Sequence, residues 1–257
     1  MKISVITTTY NSENTINKTL KSLLSQNYKN VEYIWIDNSS IDNTFEILKK
    51  NSTKNTTLLR VNNTSISEAW NLGIKKSTGE IIYFLNSDDV LNDDEVFSKV
   101  INIFNKTKCN IIMGNILYVN NKNKIIRNWK ININENKIIS QKKIYSFLKM
   151  GWMPPHPGFF IYRDIFYNKI FFNKTYKISF DYDFMIKSLI SKNSKPVYLN
   201  YTISRMLVGG NSNKLKNIIQ KMKEDLKIIY TNNIGNFFTL IFKNLRKLPQ
   251  FITLKNF

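Results

Sequence analysis

Apolar and polar positions in the first hundred residues alternate between two rhythms. Nearly continuous apolar runs at 2–8 (KISVITT), 31–36 (VEYIWI), 57–61 (TLLRV) and 81–85 (IIYFL) read as buried strands. Between them the apolar positions return at helical spacing: Ile16, Leu20, Leu23 and Leu24; then Phe45 and Leu48; then Ile66, Ala69, Trp70 and Gly73; then Val96, Val100 and Phe104. Ser12, Asp42 and Asp93 stand where caps open three of these helices, and Ser77-Thr78-Gly79 closes the one at 65–76. Short links between strand and helix predict an α/β fold of Rossmann-like type. Its mostly parallel central sheet is flanked by helices on both faces, and right-handed crossovers bring the strand C-terminal ends to one rim.

After residue 110 the rhythm changes. A strand is predicted at 111–113, then a hairpin of 117–119 and 124–129 around Asn120-Asn121-Lys122-Asn123. A helix at 138–150 leads into a Pro/Gly-rich loop at 151–158 (GWMPPHPG). A helix at 183–191, a strand at 197–199, a basic helix at 214–230 and a Phe/Leu/Lys-rich tail at 236–257 follow. With no repeats, the organisation expected is a ligand-binding half at 1–110, a second half of the same domain at 111–213, and a basic helical tail at 214–257.

The rim is where open parallel sheets bind ligands. Thr9, Tyr10 and Asn11 follow the first strand. Asp37, Asn38 and Ser39 follow the second, Asn62 and Asn63 the third, and Asn86, Ser87, Asp88 and Asp89 the fourth. No glycine-rich phosphate loop of either common pattern occurs. Asp88 and Asp89 would repel a bare phosphate but would hold a hard divalent cation, Mn²⁺ or Mg²⁺, that in turn holds a diphosphate. Asp37 can accept one N–H, as from a uracil imide edge, and Tyr10 can lie flat on a base.

Composition narrows the chemistry. The chain holds one Cys (Cys109) and one His (His156), so disulfide frameworks and Cys/His zinc sites are excluded. No apolar run is long enough to span a membrane, and Met1-Lys2 leads straight into a strand pattern; the expected location is cytoplasmic. The net charge of +20 is uneven. Residues 1–100 carry 11 basic and 12 acidic side chains, residues 101–257 carry 27 and 6. The basic part asks for an anionic partner.

These segments together resemble the family 2 glycosyltransferases, inverting and metal-dependent enzymes of the GT-A fold. The matching pieces are SVITTTYNSENTINKTLKSLLSQNY near the N-terminus, IDNSSIDNT at 36–44, EAWNLGI at 68–74 and STGEIIYFLNSDD at 77–89. MGWMPPHPGFFIYR at 150–163 and ISFDYDFMIK at 178–187 look like the subgroup that builds bacterial surface polysaccharides such as lipopolysaccharide and capsule; the likeness ends near residue 213. The resemblance implies nucleotide contacts from Thr9, Tyr10, Asp37 and Asn71. It implies ribose and metal contacts from Asn86, Asp88 and Asp89, with Asn86 in place of the family's first Asp. Trp70 stands where many relatives carry a cation near the donor. Asp181 takes the place of the catalytic base, with Asp183 as its rival. His156, with Trp152 in the same loop, falls where similar proteins meet the sugar and acceptor. The segment 209–213 (GGNSN) reads equally as a flap over the diphosphate or a plain turn.

The expected reaction is a single displacement from a nucleotide sugar, UDP-linked, to a hydroxyl of a growing glycan on polyprenyl diphosphate. Such an acceptor, and anionic lipid at the inner face of the cell membrane, would account for the basic part. The tail is read as an interfacial segment, with packing on the domain or a homodimer contact as alternatives. Because every expected catalytic residue precedes 214, transfer to a soluble acceptor is expected to survive removal of 236–257. Two other functions stay open at this point: a nucleotidyltransferase, disfavoured by the missing Gly-rich loop, and a non-catalytic nucleic-acid or polyanion binder, disfavoured by the acidic rim.

Overall fold

A computed structural model describes residues 1–131, 133, 136–208 and 215–246. The first half follows the predicted alternation: β1 (Ile3–Thr9), α1 (Ile16–Leu24), β2 (Val31–Asp37), α2 (Thr44–Asn51), β3 (Thr56–Arg60), α3 (Ile66–Lys76), β4 (Ile81–Phe84), β5 (Val90–Leu91) and α4 (Val96–Thr107). Local chemistry sets these ends. Ser65 and Glu68 close a reciprocal capping box at the start of α3. Lys108 takes a left-handed φ of 55° and stops α4.

The second half is more irregular: β6 (Ile111–Val119), β7 (Ile125–Trp129), α5 (Gln141–Lys149), a 3-10 turn (His156–Gly158), β8 (Phe159–Tyr162), α6 (Asp164–Tyr167), α7 (Phe180–Ile190), β9 (Pro196–Leu207), α8 (Leu215–Thr231) and α9 (Phe237–Leu245). Strand order is β3-β2-β1-β4-β8-β6-β9-β5, with β7 on β6. Tracing the pairings, β1, β2, β3, β4, β6 and β9 run one way, while β5, β7 and β8 run against them.

Several predicted bounds move. The strand at 111–113 and the hairpin arm at 117–119 are one strand, β6, and β9 has twelve residues where three were expected. Register shifts between β6 and β9 at Gly114 to Ile116 break the alternation that would have marked the full strands. The helix expected at 183 begins at Phe180, so both Asp181 and Asp183 lie in its first turn. The segment 209–213 lies outside the described residues.

The sheet separates two apolar layers. Ile6, Ile34, Ile36, Ile82 and Phe84 face α3, α5, α7 and α8, while Val5, Trp35, Tyr83 and Phe160 face α1 and α4. Adjacent residues of one strand serve opposite layers, as the strand period of two requires. Helix α9 is joined to the first of these layers: Leu240 is buried there, and Thr239 Oγ1 donates to the Lys149 carbonyl at 2.9 Å.

Candidate active site

Parallel register lays one side of the rim. Thr9 of β1 is paired with Asp37 of β2, and Asp37 with Arg60 of β3, so three polar side chains stand in a row at the strand ends. Asp37 is fully buried. It accepts from Thr9 Oγ1 at 3.0 Å and from the Ser40 N–H at 3.0 Å, and Arg60 Nε lies 3.7 Å away. Such a carboxylate is held rigidly and can accept one further N–H. Beside it the Tyr10 ring is 61% exposed, on a turn fixed by the left-handed Asn11 (φ 47°). That turn is tied across the rim: the Asn11 N–H donates to Ser40 Oγ at 2.9 Å, and the Ser12 and Ser87 hydroxyls are 2.9 Å apart.

The acidic pair follows β4. Asn86 Nδ2 donates to Asp89 Oδ2 at 2.9 Å, and the Leu207 N–H of β9 donates to Asp89 Oδ1 at 3.3 Å. Asp89 is fully buried; burial pushes its carboxyl well above the usual range, and the charge of Asp88 adds to the push. Asp88 is raised too, again by burial. Two adjacent carboxylates that resist ionisation together are relieved by a divalent cation. The oxygen-only donor set suits Mn²⁺ or Mg²⁺, which take remaining ligands from phosphate and water. No group of three His, Cys, Asp or Glu converges among the described residues, so two protein carboxylates are the donor set available.

A second acidic group lies in the first turn of α7. Asp181 is partly exposed, and its Oδ1 accepts from the Tyr182 N–H at 2.7 Å. Acidic side chains at that position sit against the positive end of the helix. Asp183 is fully buried: Lys187 Nζ lies 2.7 Å from its Oδ2, and Asn232 Nδ2 lies 3.5 Å from its Oδ1. A third carboxylate, Glu224 of α8, accepts from the N–H groups of Lys177, Ile178 and Ser179 at 3.0, 3.0 and 2.8 Å. Those bonds hold its carboxyl low against the opposing effect of burial. Glu224 thereby fixes the strand of chain that delivers Asp181. Nothing in the local sequence marks it, because it reads as one acid among the lysines of an amphipathic helix.

His156 lies in an aromatic group and feels the charge of Asp181. Its ring stacks on Trp70 (centroids 4.7 Å, planes 14° apart) with Phe84 and Phe172 around it. Burial lowers its imidazole to about 4, with Asp181 pulling weakly the other way, so the ring is neutral at pH 7. The turn is anchored below by the Tyr83 hydroxyl, which donates to the Pro157 carbonyl at 2.8 Å. Burial pushes the Tyr118 phenol up to about 12; Arg127 opposes this, and Asp89 and Asp181 both add to it. One phenol on β6 therefore feels both acidic groups.

Two expected contacts meet a different arrangement. Asn71 spends both ends of its amide on the backbone of Phe172, donating at 2.8 Å and accepting at 3.0 Å, and so ties α3 to the loop before α7. Trp152 packs its ring on Phe147 (5.4 Å) at the end of α5. Trp70, in the place of the relatives' cation, is a buried member of the aromatic group around His156, and its indole N–H has no hydrogen-bond partner.

The fold built around this rim is shared with solved structures. TarS 1–349 of S. aureus in complex with UDP superposes with a TM-score of 0.70 at 20% identity, over 92% of this chain and 67% of that one. The same protein with UDP-GlcNAc gives 0.69. The mannosyltransferase PcManGT from Pyrobaculum calidifontis, with GDP-Man and Mn²⁺, gives 0.65 at 13% identity over 90% and 63% of the two chains. The chain spans 65% of TarS 1–349 without ligand. No curated protein matches the sequence. At these identities the likenesses speak for the GT-A fold alone. The profile described as "Glycosyl transferase family 2" matches residues 4–171, from the first strand past the acidic pair and the His156 turn. That is well over half of the sequence, and the chain belongs to glycosyl transferase family 2.

Proposed function

We propose that this glycosyltransferase is inverting and metal-dependent, moving a sugar from a UDP-linked donor to a hydroxyl of a glycan carried on polyprenyl diphosphate. The reading is supported by two separate acid groups: Asp88 and Asp89 after β4, both held up by burial, and Asp181 in the first turn of α7, whose charge reaches His156 and, with that of Asp89, Tyr118. Single displacement at an anomeric carbon needs a proton acceptor on the incoming hydroxyl and charge compensation on the departing diphosphate. Asp181 takes the acceptor proton. Asp88 and Asp89 would hold Mn²⁺ or Mg²⁺, which would supply the positive charge that stabilises the diphosphate leaving group. Thr9, Tyr10 and Asp37 hold the base, and the neutral His156 shapes the sugar side without adding charge. The complexes of similar structures with UDP, UDP-GlcNAc and GDP-Man support a nucleotide-sugar donor.

The reading is tested by incubating the protein with a panel of nucleotide sugars and measuring nucleotide diphosphate release with Mn²⁺ and with EDTA. Release that persists undiminished in EDTA would reject the metal-dependent form. A thermal melt gives an independent readout. Because Asp89 is raised in the fold, its ionised form lowers stability at neutral pH, and that cost fades as the pH falls. Asp89→Asn should therefore melt at or above wild type in EDTA. It should lose the rise in Tm that Mn²⁺ with UDP confers on wild type.

The acceptor side also carries a surface suited to lipid. Phe237, Phe238, Phe242 and Leu245 of α9, and Ile219 and Met222 of α8, are exposed among the lysines of the basic part. No helix among the described residues is long and apolar enough to cross a membrane. Each basic side chain near an anionic surface contributes about 1 kcal/mol, screened by salt. We therefore expect co-sedimentation with anionic vesicles at low salt, weakened by Phe238→Ser with Phe242→Ser. Equal binding by both forms would move the contact elsewhere. No binding by either would make this segment a packing or dimer element.

A further inference from the structure

Lys243 of α9 is only 4% exposed. Its Nζ lies 2.6 Å from Asp225 Oδ2 of α8, itself buried, and 3.3 Å from the centre of the Tyr182 ring on α7. Three helices therefore meet on one ammonium group. The other oxygen of Asp225 has no hydrogen-bond partner. Burial pulls Lys243 down to about 8 even though Asp225 works against it, with Lys221 adding a little to the fall and Asp181 a little to the opposing pull. A lysine lowered in the fold binds its proton less tightly than in the unfolded chain. The charged form thus costs stability below pH 8, and the cost fades as pH rises from there toward 10.5. Buried ion pairs of this kind are poor sources of stability next to apolar side chains of the same volume.

What the pair does hold is position. Tyr182 directly follows Asp181, and its N–H is the one bonded to the Asp181 carboxylate. The same helix α9 grips the start of the loop that ends in His156. Arg246 Nε donates to the Met150 carbonyl at 2.7 Å. Gly151 turns with φ +71°, where a Cβ would collide with the Lys243 backbone nitrogen. We propose that Lys243 is a positioning residue for sugar transfer: it fixes the first turn of α7 against the 151–158 loop, so that Asp181 and His156 keep one geometry. The proposal rests on Asp181 being the base.

The test is the double variant D225L/K243M, which replaces both charged groups by apolar side chains of similar volume and leaves no buried polar group without a partner. With a nucleotide sugar and soluble acceptor, kcat should fall about tenfold or more, because displacement of a catalytic group by about 1 Å costs up to 10²-fold. The donor KM should stay at the wild-type value, since the Thr9–Asp37 row lies on other elements, and Tm should equal or exceed wild type. Tyr182→Leu, which takes the ring from under the ammonium and leaves the ion pair, should show the same kcat loss and decides the matter if the double variant does not fold. A folded double variant with wild-type kcat overturns the proposal. So does a fall of kcat, donor affinity and Tm together, which marks plain loss of packing. Asp181→Asn runs alongside: if it turns over like wild type, the base assignment has failed. If it is impaired and the double variant is not, only the role of Lys243 has failed.

Discussion

Asp181→Asn should lower kcat by about 10²-fold or more while leaving UDP binding close to wild type. The amide has the shape of the carboxylate and can still accept the Tyr182 N–H, so the first turn of α7 keeps its form. What it cannot do is take a proton from the acceptor hydroxyl. Neighbouring carboxylates offer no substitute: Asp183 is buried against Lys187 and Asn232, and Glu224 is committed to three backbone N–H groups. Asp183→Asn should instead weaken the packing of α7 on α8 and leave the chemical step in place. The measurement is single-turnover transfer together with UDP titration of each variant. A larger kcat loss for Asp183→Asn would reassign the base, and a product of retained anomeric configuration would reject single displacement.

The β1–β2–β3 side of the rim was legible because each strand there is a short unbroken apolar run and each rim residue follows its strand at once. Thr9 and Asp37 needed only parallel register to become neighbours, and the register supplies it. The acidic pair was legible for the same reason. The rest of the site was not, since its positions depend on contacts between elements far apart in sequence. β8 joins the middle of the sheet as a four-residue strand with no alternation of its own, and β5 is two residues long. Asn71 enters as a nucleotide contact through the resemblance alone, and sequence does not show that its amide also meets the Phe172 backbone, 101 residues on. Trp70 was legible as a missing cation but not as the stacking partner of the only imidazole. Glu224 and Lys243 were read as members of a basic tail. Their burial follows from α8 and α9 folding back onto α7 and α5, which no periodicity in that segment announces.

That packing reverses the expectation for the tail. Ending the chain at Gly235 should abolish transfer even to a short soluble acceptor, although every residue assigned to the chemistry would remain. The truncated chain loses Leu240 from the apolar layer, worth about 2 kcal/mol, and leaves Asp225 without its counter-ion. Against a typical total of about 5–15 kcal/mol the loss of a whole packed helix is large. The carbonyls of Lys149 and Met150 lose their donors as well, freeing the start of the loop that carries His156. Melting temperature should fall steeply and nucleotide release should drop to the hydrolytic background. Adding Asp225→Asn to the truncated chain removes the orphaned charge, so it should recover part of the melting temperature. It should recover little of kcat, because nothing then holds Tyr182 against the 151–158 loop. A truncated chain that transfers sugar at the wild-type rate would reduce α9 to a surface attachment. Recovery of stability and kcat in step would show that the helix contributes folding energy alone.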